Sequence, residues 1–147
     1  MKQLFFILLM LTSTLGFAQE GSPVKWTFSH HKGNNPNEYV LVAKASIKEG
    51  FHVFSTDPGG DGLMIPTDVV LNDKSVFNKT GSFIPSRRPI TKKMEGIGMV
   101  NYFEGDIEFT LTDETSKATA IEGVLTYQCC NDKMCFPPTD ISFNEKL

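Results

Sequence analysis

The chain has 147 residues, 40% of them hydrophobic, and a formal net charge of −3. This length suits one domain with a single hydrophobic core. The mild acidity gives no support for nucleic-acid binding, because proteins that bind nucleic acids present a basic surface.

Residues 1–18 have the organisation of a secretory signal peptide. Lys2 precedes an apolar run over residues 4–11, and Gly16 and Ala18 supply small residues at a cleavage site near Ala18. The apolar run is too short to span a bilayer comfortably. We therefore predict an exported protein whose mature part, residues 19–147, forms one domain.

Short stretches that alternate apolar and polar residues follow one another along the mature chain. Residues 39–47 show the pattern well, with Leu41, Ala43 and Ala45 on one side. Such strands, separated by regularly spaced turn signals, are typical of an all-β antiparallel sandwich. The predicted strands cover residues 24–28, 39–47, 51–55, 65–71, 76–84, 100–103, 106–111, 118–128 and 140–143.

Two segments between these stretches carry no strand pattern. Residues 30–37 are polar and read as a turn. Residues 85–98 form the longest irregular segment, which is basic and of flexible composition. A long loop of this kind is a candidate functional loop.

All three cysteines lie in one stretch near the end of the chain, after the predicted strand that ends at Gln128. Four residues separate Cys130 from Cys135, which suits a β-hairpin loop, and Pro137 and Pro138 then keep the backbone extended. Residues that pair across a hairpin have Cα atoms about 4.5–5.5 Å apart, within the range that a disulfide requires. Outside the cytosol we expect this pair to be oxidised.

The spacing also bears on the purpose of this disulfide. A bond from Cys130 to Cys135 closes a ring of six residues, and loop entropy gives such a ring roughly 2 kcal/mol of stabilisation, near the low end for disulfides. A bond that staples a fold is better placed between distant segments. We therefore favour a redox role over a purely structural one, which remains the alternative.

The alternation of side chains along a strand places the third cysteine, Cys129, on the opposite face from Cys130. Cys129 shares a face with Leu125 and Tyr127, whereas Cys130 faces the opposite way. A bond between Cys129 and Cys130 would strain the intervening peptide. We expect Cys129 to be a small buried apolar residue that leaves one thiol over.

The same residues allow a different function. Cys129, Cys130, Cys135 and the thioether of Met134 form a soft donor set of the kind that binds Cu(I) or Zn. The opposite faces of Cys129 and Cys130 argue against a shared ion. The alternative to redox exchange is thus an exported metal-binding protein.

These residues resemble a known family. Tyr127 and Gln128, the Cys130–Cys135 pair and the Pro137-Pro138 tail are similar to the active hairpin of the N-terminal periplasmic domain of the thiol:disulfide interchange protein DsbD. The segment over residues 50–55, followed by residues 65–67, is similar to a Gly- and aromatic-rich strand and a downstream Ile-Pro-Thr segment in that family.

The resemblance implies an immunoglobulin-like antiparallel β-sandwich with a catalytic disulfide at one end and no cofactor. In the family, a membrane-embedded domain supplies the electrons. They pass to thioredoxin-like periplasmic partners, such as disulfide isomerases and cytochrome c maturation proteins. Because the sequence ends at Leu147 without a membrane domain, the expected membrane electron donor acts in trans.

The resemblance also implies roles for individual residues. Cys130 and Cys135 match the redox pair, and we expect Cys135 to form the mixed disulfide with a partner. His52 and Phe54 match aromatic positions beside the pair, and Tyr127 and Pro137 flank it.

The chain departs from the family pattern in its cap and in its cysteines. A loop over residues 93–98 corresponds to a family cap that shields the cysteines, with Met94 or Ile97 in place of the usual aromatic residue. The cysteine spacing is four residues here, one fewer than in well-known members. Cys129 stands where other members have a small residue that is not cysteine.

Overall fold

The computed structural model describes residues 21–72, 81–114 and 119–147, and the chain in these ranges forms β-strands and no helix. The predicted signal peptide lies outside the described residues. The strands are β1 (Val24–Lys32), β2 (Glu38–Ile47), β3 (Phe51–Gly59), β4 (Asp68–Leu71), β5 (Ile84–Pro85), β6 (Ile90–Met94), β7 (Gly98–Phe103), β8 (Asp106–Glu114), β9 (Ala120–Tyr127), β10 (Cys129–Asn131) and β11 (Thr139–Lys146).

The strands form three antiparallel sheets, in the orders β1-β2-β8-β5, β10-β3-β7-β6 and β11-β9-β4. Their inward faces meet in one main core, which gives the immunoglobulin-like antiparallel sandwich that we predicted. The all-β fold class is therefore confirmed.

The main core follows from the alternation of side chains along each strand. In β8, Ile107, Phe109 and Leu111 are buried, and the residues between them face outward. Trp26 of β1 packs between two rings, with ring centroids 5.9 Å from Phe109 and 5.4 Å from Tyr127. This packing joins the first sheet to the third.

Two expectations about irregular segments are wrong. Residues 85–98 include strand β6, because Ile90 to Met94 pair with β7 and extend the second sheet at its edge. All five β6 residues are exposed or only half-buried, so their own sequence shows no buried face. The predicted turn over residues 30–37 is partly strand, since His30 and His31 pair with β2.

Other strand limits also differ from the expected ones. The strand predicted over residues 76–84 falls largely outside the described residues, and only Ile84 enters β5. The strand predicted over residues 118–128 ends at Tyr127, because the chain leaves the third sheet there and enters the second as β10. Gln128 is the crossing point between the two sheets.

Candidate functional site

The three cysteines lie where β10 turns back at the edge of the second sheet. Cys130 and Cys135 form a disulfide, and their Cα atoms are 4.0 Å apart across an antiparallel bridge. Two backbone hydrogen bonds hold this hairpin: the N–H of Asn131 donates to the carbonyl of Met134, and that of Phe136 donates to Cys129, both at 2.9 Å. The two cysteines therefore face each other through backbone pairing as well as through their covalent bond.

The hairpin turn is shaped by the side chain of Asn131. Its Oδ1 accepts hydrogen bonds from the backbone N–H groups of Lys133 and Met134, each at 2.9 Å. Asparagine commonly stabilises a turn in this way. This role of Asn131 was not predicted from the sequence, although an asparagine followed by an aspartate is typical of a turn.

The side chain of Gln128 connects the hairpin to the rest of the sandwich. Its Nε2 donates to the carbonyl of Phe136 at 3.2 Å, and its Oε1 accepts from the N–H of Ile65, also at 3.2 Å. The bond to Ile65 joins residues 63 positions apart in the sequence. The sequence did not predict this role, because no local pattern of residues shows it.

Thr67 fixes the neighbouring segment against β3. The buried Thr67 Oγ1 donates to the carbonyl of Phe54 at 2.6 Å, and the Thr67 N–H donates to Ser55 at 3.2 Å. The Ile-Pro-Thr segment thus runs alongside the strand that carries His52 and Phe54. This contact places Ile65 within reach of Gln128.

Cys129 and Cys130 face opposite sides of the second sheet, as the alternation predicts. Cys129 lies opposite Val53 and is buried in the main core. Cys130 lies opposite His52 and is 1% exposed, in a separate apolar cluster. Burial raises the pKa of the Cys129 thiol to about 11, so this thiol is protonated and unreactive at neutral pH.

The cluster around Cys130, called the second cluster below, consists of Phe54, Val100, Tyr102 and Cys130. Met94 and Ile97, the two residues expected in a cap loop, pack against it. They border the turn between β6 and β7, which is closed by a hydrogen bond from the Ile97 N–H to the Met94 carbonyl. The structure therefore brings both residues to the cluster that covers Cys130.

A close backbone approach at Gly60 completes the second cluster. Gly60 has φ +72°, and a Cβ atom there would lie 3.0 Å from Met64 Sδ and 3.1 Å from Ile97 Cγ2. Both the left-handed backbone and the contact distances favour glycine. Met64 and Ile97 can thus pack against the second cluster from the same side.

The two sulfur-bearing residues of the disulfide differ in exposure. Cys130 is buried, whereas Cys135 is exposed, as are residues 132–134 before it. Met134, next to Cys135, is 55% exposed. An approaching protein therefore meets the Cys135 side of the disulfide first.

His52 is half-buried on the face of the sheet that carries Cys130. Its ring centroid is 4.7 Å from that of Tyr102 and 5.9 Å from that of Phe54. Burial lowers the pKa of His52 below its usual value, Glu104 and Asp132 oppose this shift, and Lys92 adds to it. The imidazole is consequently neutral at pH 7.

Tyr127 and Pro137, the two residues expected to flank the pair, lie in different surroundings. Tyr127 is buried in the main core against Trp26, because it shares the face of Cys129 rather than that of Cys130. Pro137 is exposed on the return limb after Phe136. Phe136 itself packs toward Phe51, with ring centroids 6.1 Å apart.

The proposed metal donors do not converge. Cys129 faces the main core, Cys130 faces the second cluster, and the sulfurs of Cys130 and Cys135 are bonded to each other. Within residues 21–72, 81–114 and 119–147, no group of three or more His, Cys, Asp or Glu side chains is arranged to hold a metal ion. The same part of the chain contains no helix long and apolar enough to cross a membrane.

The chain has relatives in a known protein family. Residues 23–146 match the family described as the N-terminal domain of the thiol:disulfide interchange protein DsbD. The chain belongs to the DsbD N-terminal domain family. Domains of the DsbD N-terminal family are periplasmic and take part in thiol:disulfide interchange. A comparison with curated protein sequences gave no match.

Solved structures show the same fold at low sequence identity. The N-terminal periplasmic domain of ScsB from Proteus mirabilis is 17% identical with a TM-score of 0.62, over 86% of this chain and 47% of that one. The reduced DsbD N-terminal domain of Neisseria meningitidis is 17% identical with a TM-score of 0.53, over 72% of this chain and 75% of that one. The present chain thus spans about half the length of the ScsB chain.

A third structure contains a bound protein. It is the complex between the DsbD N-terminal and PilB N-terminal domains of Neisseria meningitidis, with 15% identity and a TM-score of 0.54, over 81% of this chain and 80% of that one. At this identity the likeness supports the shared fold alone. The family assignment rests on the match over residues 23–146.

Proposed function

We propose that this protein is an exported thiol–disulfide exchange module, residues 19–147, that relays electrons through the Cys130–Cys135 disulfide to or from thioredoxin-like partners. One observation carries the proposal: the disulfide joins an exposed cysteine to a buried one across a hairpin that has its own hydrogen bonds. Such a bond can open and close without rearrangement of the fold. The chemistry requires no cofactor.

The exchange proceeds in two balanced steps. A partner thiolate attacks Sγ of Cys135, the bond between Cys130 and Cys135 breaks, and Cys130 leaves with the electron pair as a thiolate. A second partner thiolate then attacks the mixed disulfide, which releases Cys135 and leaves the domain reduced by two electrons. In the donating direction the same steps run backwards, and the protein acts as a protein-disulfide reductase.

The choice of Cys135 for the mixed disulfide rests on access. Thiol–disulfide exchange requires the attacking sulfur to approach along the S–S axis, so the accessible sulfur reacts first. Cys135 is exposed and stands next to the exposed Met134, whereas Cys130 is enclosed by Phe54, Val100 and Tyr102. Cys130 is therefore the resolving cysteine.

The proposal includes the surroundings of the pair. Met94 and Ile97 act as the cap, because they pack against the second cluster and limit access to Cys130. Phe54 forms the floor of the same cluster, and His52 lies opposite Cys130. Pro137 keeps the return limb extended after Cys135.

The proposed partners are thioredoxin-like periplasmic proteins, together with a membrane electron donor that acts in trans. A solved complex of another DsbD N-terminal domain with a PilB N-terminal domain supports a protein partner. The proposed signal peptide, cleaved near Ala18, delivers the domain to the periplasm.

The decisive experiment combines a potential with a trapping reaction. We expect the purified mature domain, equilibrated with glutathione buffers, to have a reduction potential above about −300 mV, the range below which disulfides are structural. We expect Cys130→Ala to accumulate a mixed disulfide with a thioredoxin that lacks its own resolving cysteine and whose remaining cysteine is already bonded to thionitrobenzoate. Cys135 attacks that disulfide and thionitrobenzoate leaves as the thiolate, whereas Cys135→Ala should accumulate no mixed disulfide. A potential below that range, or equal trapping by both variants, would contradict the proposal.

A further inference from the structure

Resolution of the mixed disulfide requires the Cys130 thiol to lose its proton. When Cys130 attacks the Cys135–partner bond, its thiol must first ionise, and Cys130 is 1% exposed among Phe54, Val100 and Tyr102. Burial disfavours a thiolate, and the side chains of Phe54 and Val100 cannot accept the proton. Tyr102 brings only a phenol hydroxyl, which is a much weaker base than an imidazole. A base beside Cys130 is therefore needed.

His52 is the titratable residue paired directly with Cys130. The two are Cα partners in the β10–β3 pair, and directly opposite residues have Cβ atoms about 4.5–5.5 Å apart. Tyr102 packs in the same cluster as Cys130, and its ring centroid is 4.7 Å from that of His52. An imidazole in this position can reach the thiol of its neighbour.

We propose that His52 accepts the proton of Cys130 during resolution of the mixed disulfide, an inference that rests on the exchange function proposed above. The step is balanced. The Cys130 S–H bond breaks and its proton moves to the imidazole. The Cys130–Cys135 bond forms as the Cys135–partner bond breaks, and the partner leaves as a thiolate. Three electrostatic neighbours act on His52: Glu104, Asp132 and Lys92.

The environment of His52 suits a base. Burial keeps the imidazole neutral at pH 7, and Lys92 favours the same state. Glu104 and Asp132 favour the imidazolium that forms once the proton has moved. Both carboxylates belong to exposed residues, so they stabilise the charge on His52 rather than replace it as the base.

The test separates formation of the mixed disulfide from its resolution. Reduced protein in a Cys129→Ala background, with only Cys130 and Cys135 as thiols, is mixed with the disulfide of thionitrobenzoate in a stopped-flow instrument. The first thionitrobenzoate is released when Cys135 attacks, and the second when Cys130 resolves the adduct. We expect His52→Gln and His52→Phe to slow the second release at least about tenfold at pH 7, with the first unchanged.

The pH profile distinguishes a base from a structural residue. With His52 present, the second rate should level off above the pKa of the imidazole. In both His52 variants it should keep rising with pH, as direct ionisation of Cys130 takes over. His52→Phe retains a ring against Tyr102 and Phe54. His31→Gln, at an exposed position of β1, is the matched control.

The outcomes are separable. If both His52 variants release the second thionitrobenzoate at the rate and pH profile of the parent, the inference is wrong while the exchange function stands. The inference is also wrong if both releases slow equally, since His52 then acts on the fold or on Cys135. If the parent itself shows no fast first release, the exchange function fails and the inference fails with it.

Discussion

Cys129 and Cys130 are consecutive in the chain, yet their side chains enter separate apolar clusters on opposite faces of one sheet. Both residues belong to strand β10, which is paired with β3, so neither side chain can cross to the other face without loss of that pairing. The free thiol of Cys129 is thereby kept away from the Cys130–Cys135 disulfide. Three cysteines can thus coexist in this short stretch without disulfide exchange among them.

The buried thiol of Cys129 should make stability fall in alkaline solution. Its pKa is raised to about 11 from an ordinary value of 9.0, so the folded state holds a proton that the unfolded state loses. The stabilisation that the buried, protonated thiol gives the folded state is complete below pH 9 and is lost as the pH rises through 11. Urea midpoints measured across this window should fall more steeply for the parent than for Cys129→Ala.

The comparison of slopes is the control, because lysine and tyrosine side chains ionise in the same window in both proteins. Equal slopes for parent and Cys129→Ala would contradict the raised pKa. Alkylation gives an independent check. At neutral pH, iodoacetamide should modify the exposed Cys135 of the reduced protein and should reach Cys129 only after denaturant is added.

Reduction of the disulfide should weaken the fold only modestly. The ring closed by Cys130 and Cys135 spans six residues, and its loss should lower the free energy of unfolding by roughly 2 kcal/mol. The hydrogen bonds from Asn131 to Met134 and from Phe136 to Cys129 remain available to hold the hairpin. Urea unfolding with and without reductant measures the difference, and a protein that unfolds outright on reduction would refute this expectation.

Gln128 should set the potential of the disulfide as well as the stability of the hairpin. Its Nε2 holds the carbonyl of Phe136, on the limb that carries Cys135, at 3.2 Å. Loss of one such bond costs about 1 kcal/mol. Without this bond, the limb that carries Cys135 is held less firmly, so the effective concentration of the Cys135 thiol near the Cys130 thiol should fall. We expect Gln128→Ala to shift the potential by up to about 20 mV toward easier reduction.

A matched variant separates the two bonds of Gln128. Gln128→Glu retains an acceptor for the Ile65 N–H but loses the donor to Phe136. It should therefore shift the potential in the same direction as Gln128→Ala. An unchanged potential in both variants, at whatever stability, would show that the Gln128 side chain has no influence on the disulfide.

The cap residues should control access to the disulfide. Met94 and Ile97 pack against the second cluster beside Cys130, and both are only half-buried. In Met94→Ala and Ile97→Ala, a small thiol such as dithiothreitol should reach Cys130 in addition to the exposed Cys135, so the rate of reduction should rise about two- to fivefold. Each should cost no more than about 1 kcal/mol of stability.

Met99→Ala is the matched control for the cap. Met99 belongs to the same β6–β7 hairpin but is 54% exposed. Its neighbour Val100 is the residue that enters the second cluster, so Met99 faces the other side of the sheet. A rate increase in Met99→Ala equal to that of the cap variants would attribute the effect to hairpin flexibility instead of access.

The amino-acid sequence alone determined the features that depend on neighbouring residues. Strand alternation has a period of two, so it placed Cys129 and Cys130 on opposite faces without knowledge of either partner. The spacing of Cys130 and Cys135, together with the prolines after them, was sufficient to predict the bridged hairpin. Alternation along β2, β8 and β9 was sufficient to predict an all-β sandwich.

Only the tertiary structure decided which residues meet across strands. The family resemblance placed His52 beside the cysteine pair, but its register opposite Cys130 depends on the pairing of β10 with β3. The bond between Gln128 and Ile65 and the entry of Ile90 to Met94 into a sheet likewise depend on partners distant in sequence. The exposure of Cys135 and the burial of Cys130 have the same origin. These features arise because hydrogen bonds and burial between strands are set by how the sheets pack, which no local pattern of side chains specifies.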